Sequence, residues 1–290
     1  MNTPDFTIRI VDRASKPHAR CFDDFAEALR DALWALGRGV SLEHEGRPWD
    51  GRSRLILFGL SDADPGFNVP RDAIVYNSEQ VLSGRHWENV GRFKDNVFWD
   101  FSREHLAWFR SRGVERVVHC PIGYVESMER ITPAPEDVDV LFYGWINESR
   151  RAVLSALKLA GYRALWLVGE YGAERDAFVA RSKIVLNLHY YERPAHEMFR
   201  VSHLLANRKC VVSEAGGADA ELEAFASRAT RLAKRDEIVD ACRSLLDERA
   251  AARAYGTTAA EARRRIADAG YEEFKKVSLV EAVRSALERS

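Results

Sequence analysis

The stretch Lys183–Glu221, KIVLNLHYYERPAHEMFRVSHLLANRKCVVSEAGGADAE, carries the pattern that decides the fold of this chain. Its run Ile184–Leu188 is apolar and rich in β-branched residues, which predicts a strand that is buried on both faces. Pro194 stands at a favourable first position for a helix, and Lys209–Ser213 is the next predicted strand. Gly216-Gly217 follow that strand at its carboxyl end. A strand, a helix and a second strand in this order predict a parallel sheet covered by helices.

The helix predicted from Pro194 has an apolar face and a polar face. Met198, Val201 and Leu205 share the apolar face at helical spacing, and Glu197 lies in the first turn at the edge of the polar face. Such a polar face is either exposed to solvent or part of an anion site, because helix N-termini beside the carboxyl ends of parallel strands offer free N–H groups. The polar face consists of His196, Arg200, His203 and Asn207.

Apolar runs and helical patterns alternate along the whole chain, which predicts an α/β protein with two Rossmann-like domains built on parallel sheets. The first strand is expected over residues 6–12. Residues 1–125 form the predicted N-terminal domain. The polar stretch 126–137 contains two prolines and breaks the alternation, so we expect a linker there. Residues 138–290 form the predicted C-terminal domain, which ends in a helical tail with long helices over 249–268 and 278–288.

The composition is that of an ordinary soluble globular protein, with 46% hydrophobic and 30% charged residues among 290. A formal net charge of −1 gives no electrostatic footprint for nucleic acid or an anionic membrane. No apolar run approaches the roughly 18 residues that a transmembrane segment requires, and no signal peptide is apparent. The four cysteines form no C-x-x-C pair. We therefore expect a reduced, cytoplasmic protein.

The central stretch resembles the donor-binding segment of GT-B glycosyltransferases. Arg200–Ala206 is similar to a helix of that family, and Val211–Ser213 is similar to its Val-Val-Ser strand. Gly216-Gly217, with Glu221 just after them, resemble a Gly-Gly loop that is closed by a glutamate. The resemblance extends loosely over roughly the last 150 residues, and it implies GT-B architecture.

A second segment resembles the start of the same donor-binding domain: a strand, then Gly144 and Asn147, then a helix that carries Arg150. Two positions depart from the family pattern. His203 stands where the family usually has the helix glutamate that holds the ribose of the nucleotide. Arg208 stands where a glycine is usual.

The resemblance implies a glycosyltransferase that moves a sugar from a nucleotide-diphosphate sugar to an acceptor that the sequence does not identify. Arg200 would neutralise the departing diphosphate, and Glu197 or His196 would contact sugar hydroxyls. His203 or Asn207 would lie near the ribose or the base. The family generally works without a metal, so we expect no metal and no cofactor besides the donor substrate. The other residues expected at the donor are Gly144, Asn147, Gly169, Tyr171, His189, Tyr190, Gly216 and Gly217.

The sequence leaves inverting and retaining mechanisms open. An inverting mechanism needs a general base from the N-terminal domain, whereas a retaining mechanism needs none. The candidates for this base are His18, Glu79, Asp100 and His119.

Other interpretations also stay open. Tyr190-Tyr191 could stack on a base or a sugar, or pack the loop. The chain could bind a nucleotide-sugar or a glycan without turnover, which the absence of the family glutamate at His203 favours, or it could be a sugar-nucleotide 2-epimerase. A metal could also bind, although the spacing of the available ligands matches no known motif. Those ligands are His189, Glu192, His196 and Glu197.

Overall fold

The computed structural model of the protein describes residues 4–11, 17–43, 49, 51–63, 67–84, 87–192 and 194–290. They form two units. One comprises Met1–Ser127 together with Val277–Ser290, and the other comprises Met128–Lys276. The strand predicted over 6–12 is observed at Phe6–Ile10, and Asp12 lies outside the described residues.

The first unit is built on a sheet of six parallel strands. Its described elements are β1 (Phe6–Ile10), α1 (Asp23–Ala35), β2 (Val40–Glu43), β3 (Arg54–Phe58), β4 (Ile74–Tyr76), α2 (Trp87–Val90), β5 (Val97–Asp100), α3 (Arg103–Arg110) and β6 (Val117–His119). The strands lie in the order β2-β1-β3-β4-β5-β6. All four residues of β5 are buried, as expected for a strand inside a parallel sheet with both faces covered.

The second unit is built on a parallel sheet of five strands. Its elements are β7 (Val138–Tyr143), α4 (Glu148–Leu159), β8 (Ala164–Leu167), α5 (Gly172–Ala180), β9 (Ser182–Asn187), α6 (Met198–Ala206), β10 (Val211–Glu214), α7 (Ala220–Ala229), β11 (Arg231–Ala233), α8 (Ile238–Leu246), α9 (Glu248–Tyr255) and α10 (Ala259–Lys275). The strand order is β11-β10-β9-β7-β8. The two parallel sheets confirm the predicted fold class.

The C-terminal helical region differs from the prediction in two respects. The helix expected over 249–268 is two helices, α9 and α10, because Gly256 adopts a left-handed φ of +66° between them. The final helix α11 (Leu279–Glu288) belongs to the first unit and not to the predicted domain 138–290. The backbone N–H of Leu279 donates to the carbonyl of Tyr124, and Trp99 Nε1 donates to Ser290 Oγ. An apolar face predicts that a helix is packed, but it does not identify the sheet that the helix packs on.

Helix α6 begins later than predicted and is buried on nearly all sides. Its first residue is Met198 rather than Pro194, and Glu197 is its N-cap residue. Two of the four residues of the predicted polar face are buried, since His196 is 0% exposed and His203 is 2% exposed. Arg208, at the position where the family has glycine, adopts a φ of +50°, a conformation that glycine adopts without strain.

We expect Gly270→Ala to destabilise the protein, although alanine favours a helix over glycine by about 1 kcal/mol. A Cβ at this position of α10 would overlap the carbonyl oxygen of Ala229 and lie 2.7 Å from Cδ2 of Leu205. Overpacking of this kind costs about 1–3 kcal/mol, and a backbone carbonyl has little freedom to move away. The measurement is the melting temperature by circular dichroism. Ala269→Gly, at the exposed neighbouring position, is the control and loses only helix propensity. A Gly270→Ala protein that melts at or above the wild-type temperature contradicts this packing.

Candidate functional site

Three strand ends of the second unit bring polar groups together. Strand β9 lies between β10 and β7, and all three run parallel, so their carboxyl ends meet at one edge of the sheet. Gly144 follows β7, Asn187 ends β9 and Glu214 ends β10. Ligands of open parallel sheets bind outside this edge. The candidate site is therefore the edge formed by these three strand ends.

Arg150, in the first turn of α4, is only 3% exposed. Its guanidinium donates to the carbonyl of Trp145 at 2.6 Å and to the carbonyl of Leu188. Its Nε has no partner among the described residues. The nearest carboxylate oxygen paired with it, Oε1 of Glu197, is 3.9 Å from Nη2, beyond hydrogen-bond distance. Backbone carbonyls thus hold the side chain while its charge is only partly compensated.

Arg200, in the first turn of α6, lies beside the end of β7. Its Nη1 donates to Oδ1 of Asn187 at 2.8 Å, and its Nε has no partner in the described part of the chain. Gly144, with a φ of +130°, lies directly against the guanidinium. A Cβ at that position would be 2.9 Å from Nη2 of Arg200. Glycine is needed here both for its backbone conformation and for the space that the arginine occupies.

The two arginines share one aromatic ring. The guanidinium carbons of Arg150 and Arg200 lie 5.0 and 5.4 Å from the centroid of the Phe142 ring. Burial, and then the like charge of Arg200, lower the pKa of Arg150 to about 10, although Glu197 opposes the shift. Two neighbouring cations with little counter-charge favour an anion, and the planar guanidinium matches phosphate oxygens. The pair is suited to bind a phosphate or a diphosphate.

Two histidines form a buried layer beside the arginines. His196 is fully buried, and its Nε2 lies 3.3 Å from Oγ of Ser213 and 3.5 Å from Nδ2 of Asn187. Its ring meets that of His189 edge-on, with 6.1 Å between centroids. Burial, followed by the charges of His189 and Arg200, lowers the pKa of His196 to about 3, and burial also lowers the pKa of His189. Both rings are therefore uncharged at neutral pH.

The Gly-Gly loop is closed by Glu223 and not by Glu221, which corrects the sequence interpretation. The backbone N–H groups of Gly216 and Gly217 donate to Oε1 and Oε2 of Glu223 at 2.8 and 3.2 Å. The N–H of Glu221 donates instead to Asp219, the N-cap of α7. The loop amides are thus bonded to a carboxylate of the protein itself.

His203 and Asn207 lie in hydrogen-bond networks inside the second unit. Nε2 of His203 is 2.9 Å from Oδ1 of Asp176 and 3.1 Å from Nη2 of Arg175. Oδ1 of Asn207 accepts two backbone N–H groups of the segment 128–131, and its Nδ2 donates to two carbonyls. These bonds use both donors and both lone pairs of the amide. The assignment of either residue to the ribose or the base stays a prediction.

The remaining expected donor residues lie along the same edge or in its loops. Nδ2 of Asn147, the N-cap of α4, donates to the carbonyl of Tyr190. The Tyr190 ring lies 5.1 Å from the Arg150 guanidinium and packs edge-on against Tyr191, which favours the loop-packing alternative for this tyrosine pair. Gly169 follows β8 with a φ of +78°, and Tyr171 is the N-cap of α5.

The predicted general-base candidates all belong to the first unit. His18 is exposed in a short 3-10 helix, Glu79 accepts a hydrogen bond from Ser61, and Nε2 of His119 is 3.2 Å from the carbonyl of Phe101. His18 is exposed, whereas Glu79 and His119 are partly buried.

Asp100 is fully buried and already bound by several groups. Its carboxylate accepts from Nδ2 of Asn77 and from the N–H of Ser102, both at 2.7 Å, and lies 3.1 Å from Nδ1 of His105. A substrate therefore has no direct access to it. The sequence analysis did not single out His105, whose Nε2 is buried without a partner among the described residues.

The periodicity and spacing of the sequence do not predict Arg150 as a site residue, which enters only through the family resemblance. A local signal exists, because Arg150 and Arg200 both occupy the first turn of a helix, where the helix dipole disfavours a cation. A side chain that departs from the preferences of its helix position, as these two arginines do, often marks a functional site.

No three His, Cys, Asp or Glu side chains in the described ranges converge as a metal site, so the set His189, Glu192, His196 and Glu197 is not assembled as one. No helix in these ranges is long and apolar enough to cross a membrane.

No protein-family model matches the sequence. Two uncharacterized proteins of Acanthamoeba polyphaga mimivirus are similar to it. One is 25% identical over 227 residues, which cover 76% of this chain and 74% of that protein. The other is 26% identical over 168 residues, which cover 55% of this chain but only 22% of that longer protein.

Solved structures show the fold. WaaG, a glycosyltransferase involved in lipopolysaccharide biosynthesis, superposes with a TM-score of 0.60 at 11% identity, over 93% of this chain and 96% of that one. AviGT4, a glycosyltransferase involved in avilamycin A biosynthesis, superposes with a TM-score of 0.52 at 15% identity, over 99% and 98%. The chain has the GT-B fold of these glycosyltransferases.

We expect His196 to make the protein less stable in acid. Its pKa is about 3 in the folded state and about 6.5 when unfolded, so only the unfolded chain takes up this proton between those values. Above pH 6.5 this residue does not make the free energy of unfolding depend on pH. Below pH 6.5 it lowers the free energy of unfolding by an amount that approaches about 1.4 kcal/mol per pH unit.

The check is urea unfolding of wild type and His196→Gln at pH 7.5, 6.0 and 5.0. Stability should fall more steeply with acid in wild type than in the variant. His18→Gln, which removes an exposed histidine, is the control and should keep the wild-type slope. Equal slopes for wild type and His196→Gln would show that His196 does not carry this effect.

Proposed function

We propose that this chain is a glycosyltransferase that moves a sugar from a nucleotide-diphosphate sugar to an acceptor. The diphosphate of the donor would lie between Arg150 and Arg200. The observation that carries the proposal is this pair of guanidinium groups over the ring of Phe142, at the edge of a parallel sheet where ligands bind. The GT-B fold shared with WaaG and AviGT4 supports the class of reaction.

Sugar transfer breaks the bond between the anomeric carbon and a phosphate oxygen, and negative charge then collects on the departing diphosphate. Groups that stabilise this charge are most effective when they are in place before the reaction. Arg200 is held by Asn187, and Arg150 is held by the carbonyls of Trp145 and Leu188. The N-terminal ends of α4 and α6, which are the positive ends of their dipoles, follow the carboxyl ends of the neighbouring strands β7 and β9. The donor would therefore meet a preorganised positive site.

Glu197 is the residue that we assign to the hydroxyl groups of the donor sugar. It precedes α6, its side chain is 21% exposed, and its carboxylate is 3.9 Å from Arg150. A carboxylate can accept two or more hydroxyl hydrogen bonds. His196 is fully buried against Ser213, so we assign it a positioning role beneath Asn187 and no contact with the sugar.

The acceptor is unidentified, and inverting and retaining mechanisms both stay open. If the transfer inverts, the acceptor hydroxyl must lose its proton to a base. The partly accessible candidates His18, Glu79 and His119 suit that role better than the buried Asp100. Gly169 and Tyr171 stay predicted donor contacts.

A second candidate function is donor or glycan binding without turnover. The observation in its favour is His203, which stands where related glycosyltransferases usually have the ribose-binding glutamate. His203 is buried and faces Asp176, so it offers no carboxylate to a ribose hydroxyl. Measuring turnover distinguishes the two functions, because a binding protein is stabilised by nucleotide-sugars but releases no sugar from them.

We expect Arg200→Ala to lower the slow hydrolysis of a nucleotide-sugar on the order of 100-fold, because it removes a charged donor that acts on the leaving group. The melting temperature should change little, since the like charge facing Arg150 disappears together with the bond to Asn187. The assay is release of free sugar from a panel of UDP-, GDP- and TDP-sugars.

Lys158→Ala is the matched control, because it removes an exposed cation from the last turn of α4, far from the site edge. It should keep wild-type turnover. Wild-type turnover in folded Arg200→Ala, or global unfolding of that variant, would each contradict the assignment.

We also expect turnover to survive EDTA, because the two arginines take the place of a divalent cation at the diphosphate. The measurement is the rate of sugar release before and after chelation, followed by addition of manganese or magnesium. An activity that EDTA abolishes and one of these ions restores would refute the metal-independent mechanism.

A further inference from the structure

Three exposed apolar residues belong to the loop after β7 or to the end of the neighbouring strand β8. Trp145 is 67% exposed, Trp166 is 38% exposed and Val168 is 39% exposed. Large apolar groups that are exposed together commonly mark a binding surface. We call these three residues the indole wall. Trp34, which is also exposed, lies in the first unit and carries the guanidinium of Arg30 over its ring.

The indole wall is tied to the loop that holds the arginines. Trp166 pairs in register with Phe142, so both side chains project from the same face of the sheet. The indole N–H of Trp166 donates to the carbonyl of Gly144 at 3.2 Å, and the N–H of Gly144 donates to the carbonyl of Leu167. Trp145 is the next residue, and its carbonyl accepts from Arg150. The wall and the anion site therefore share one loop.

The aromatic face of this wall is the part that a ligand can use. Strand β8 is at the edge of the sheet, so within the described part of the chain no further strand pairs with it on the outer side of Trp166. The indole N–H of Trp166 is already engaged, which leaves its ring face. The other aromatic pair at the site offers less, because Tyr190 lies against the Arg150 guanidinium and Tyr191. A flat ring in the ligand is the group that stacks on such a face.

We propose that the indole wall, led by Trp145, stacks on the nucleobase of the donor while Arg150 and Arg200 hold its diphosphate. This assignment rests on the proposed function, since the ligand must be a nucleoside diphosphate or its sugar. The base is the one aromatic ring that every such donor contains. Stacking of a base on an aromatic side chain is tolerant of the base identity, because every base has a π-face.

The test measures dissociation constants by isothermal titration calorimetry for inorganic pyrophosphate, UDP, GDP, UDP-glucose and GDP-mannose. The proteins are wild type, Trp145→Ala and Trp145→Phe. Trp145→Ala keeps the backbone carbonyl that accepts from Arg150. It should raise the dissociation constants of UDP and GDP on the order of tenfold and leave the dissociation constant of pyrophosphate unchanged. Trp145→Phe should recover most of the loss. Leu159→Ala removes an 89% exposed side chain at the other end of α4 and should behave as wild type.

The outcomes separate this inference from the function on which it rests. If UDP and GDP bind wild type and Trp145→Ala equally, the base platform is refuted while the diphosphate site stands. If Trp145→Ala weakens the binding of UDP-glucose and GDP-mannose but not of UDP and GDP, the indole wall contacts the sugar, and the assignment to the base is wrong. If neither pyrophosphate nor any nucleotide binds wild type, the anion site is refuted and the platform with it.

Discussion

The stacking of two guanidinium groups over Phe142 is the interaction on which the rest of the site depends. Bringing two like charges together inside a protein is unfavourable, so the fold must hold them by other bonds. Arg150 donates hydrogen bonds to two backbone carbonyls, one after β7 and one after β9. Arg200 donates a hydrogen bond to the amide oxygen of Asn187. The parallel register of β7 with β9 therefore sets the distance between the two arginines.

The residues around the arginine pair are uncharged histidines and carboxylates that mostly have partners other than the pair. His189 and His196 are uncharged because burial lowers both pKa values, and the Glu214 carboxylate is occupied by Arg235 and by the N–H of His189. Glu223 is likewise bonded to the Gly-Gly loop. Glu197 lies near Arg150 without a hydrogen bond to it. An incoming anion thus encounters two arginines, while two of the nearby carboxylates are already hydrogen-bonded to other groups.

Much of the fold was predictable from local pattern, because buried parallel strands are apolar runs and helices show their own period. The strands predicted at Ile184–Leu188 and Lys209–Ser213 are observed as β9 and β10. The polar face of α6 was ambiguous, because His196 and His203 are polar residues that the protein buries against partners distant in sequence. Periodicity identifies a face, but it does not distinguish solvent from a buried network.

The sequence by itself determined the class of the protein: alternating strands and helices in two parallel sheets, and an arginine at the start of the helix that follows β9. Only the tertiary structure decided that Arg150 joins Arg200, that Glu223 rather than Glu221 closes the Gly-Gly loop, and that α11 packs in the first unit. The reason is physical. Secondary structure follows from neighbours along the chain, whereas a site depends on groups that are distant in the sequence and meet only when strand ends align. Arg150 and Arg200 are 50 positions apart.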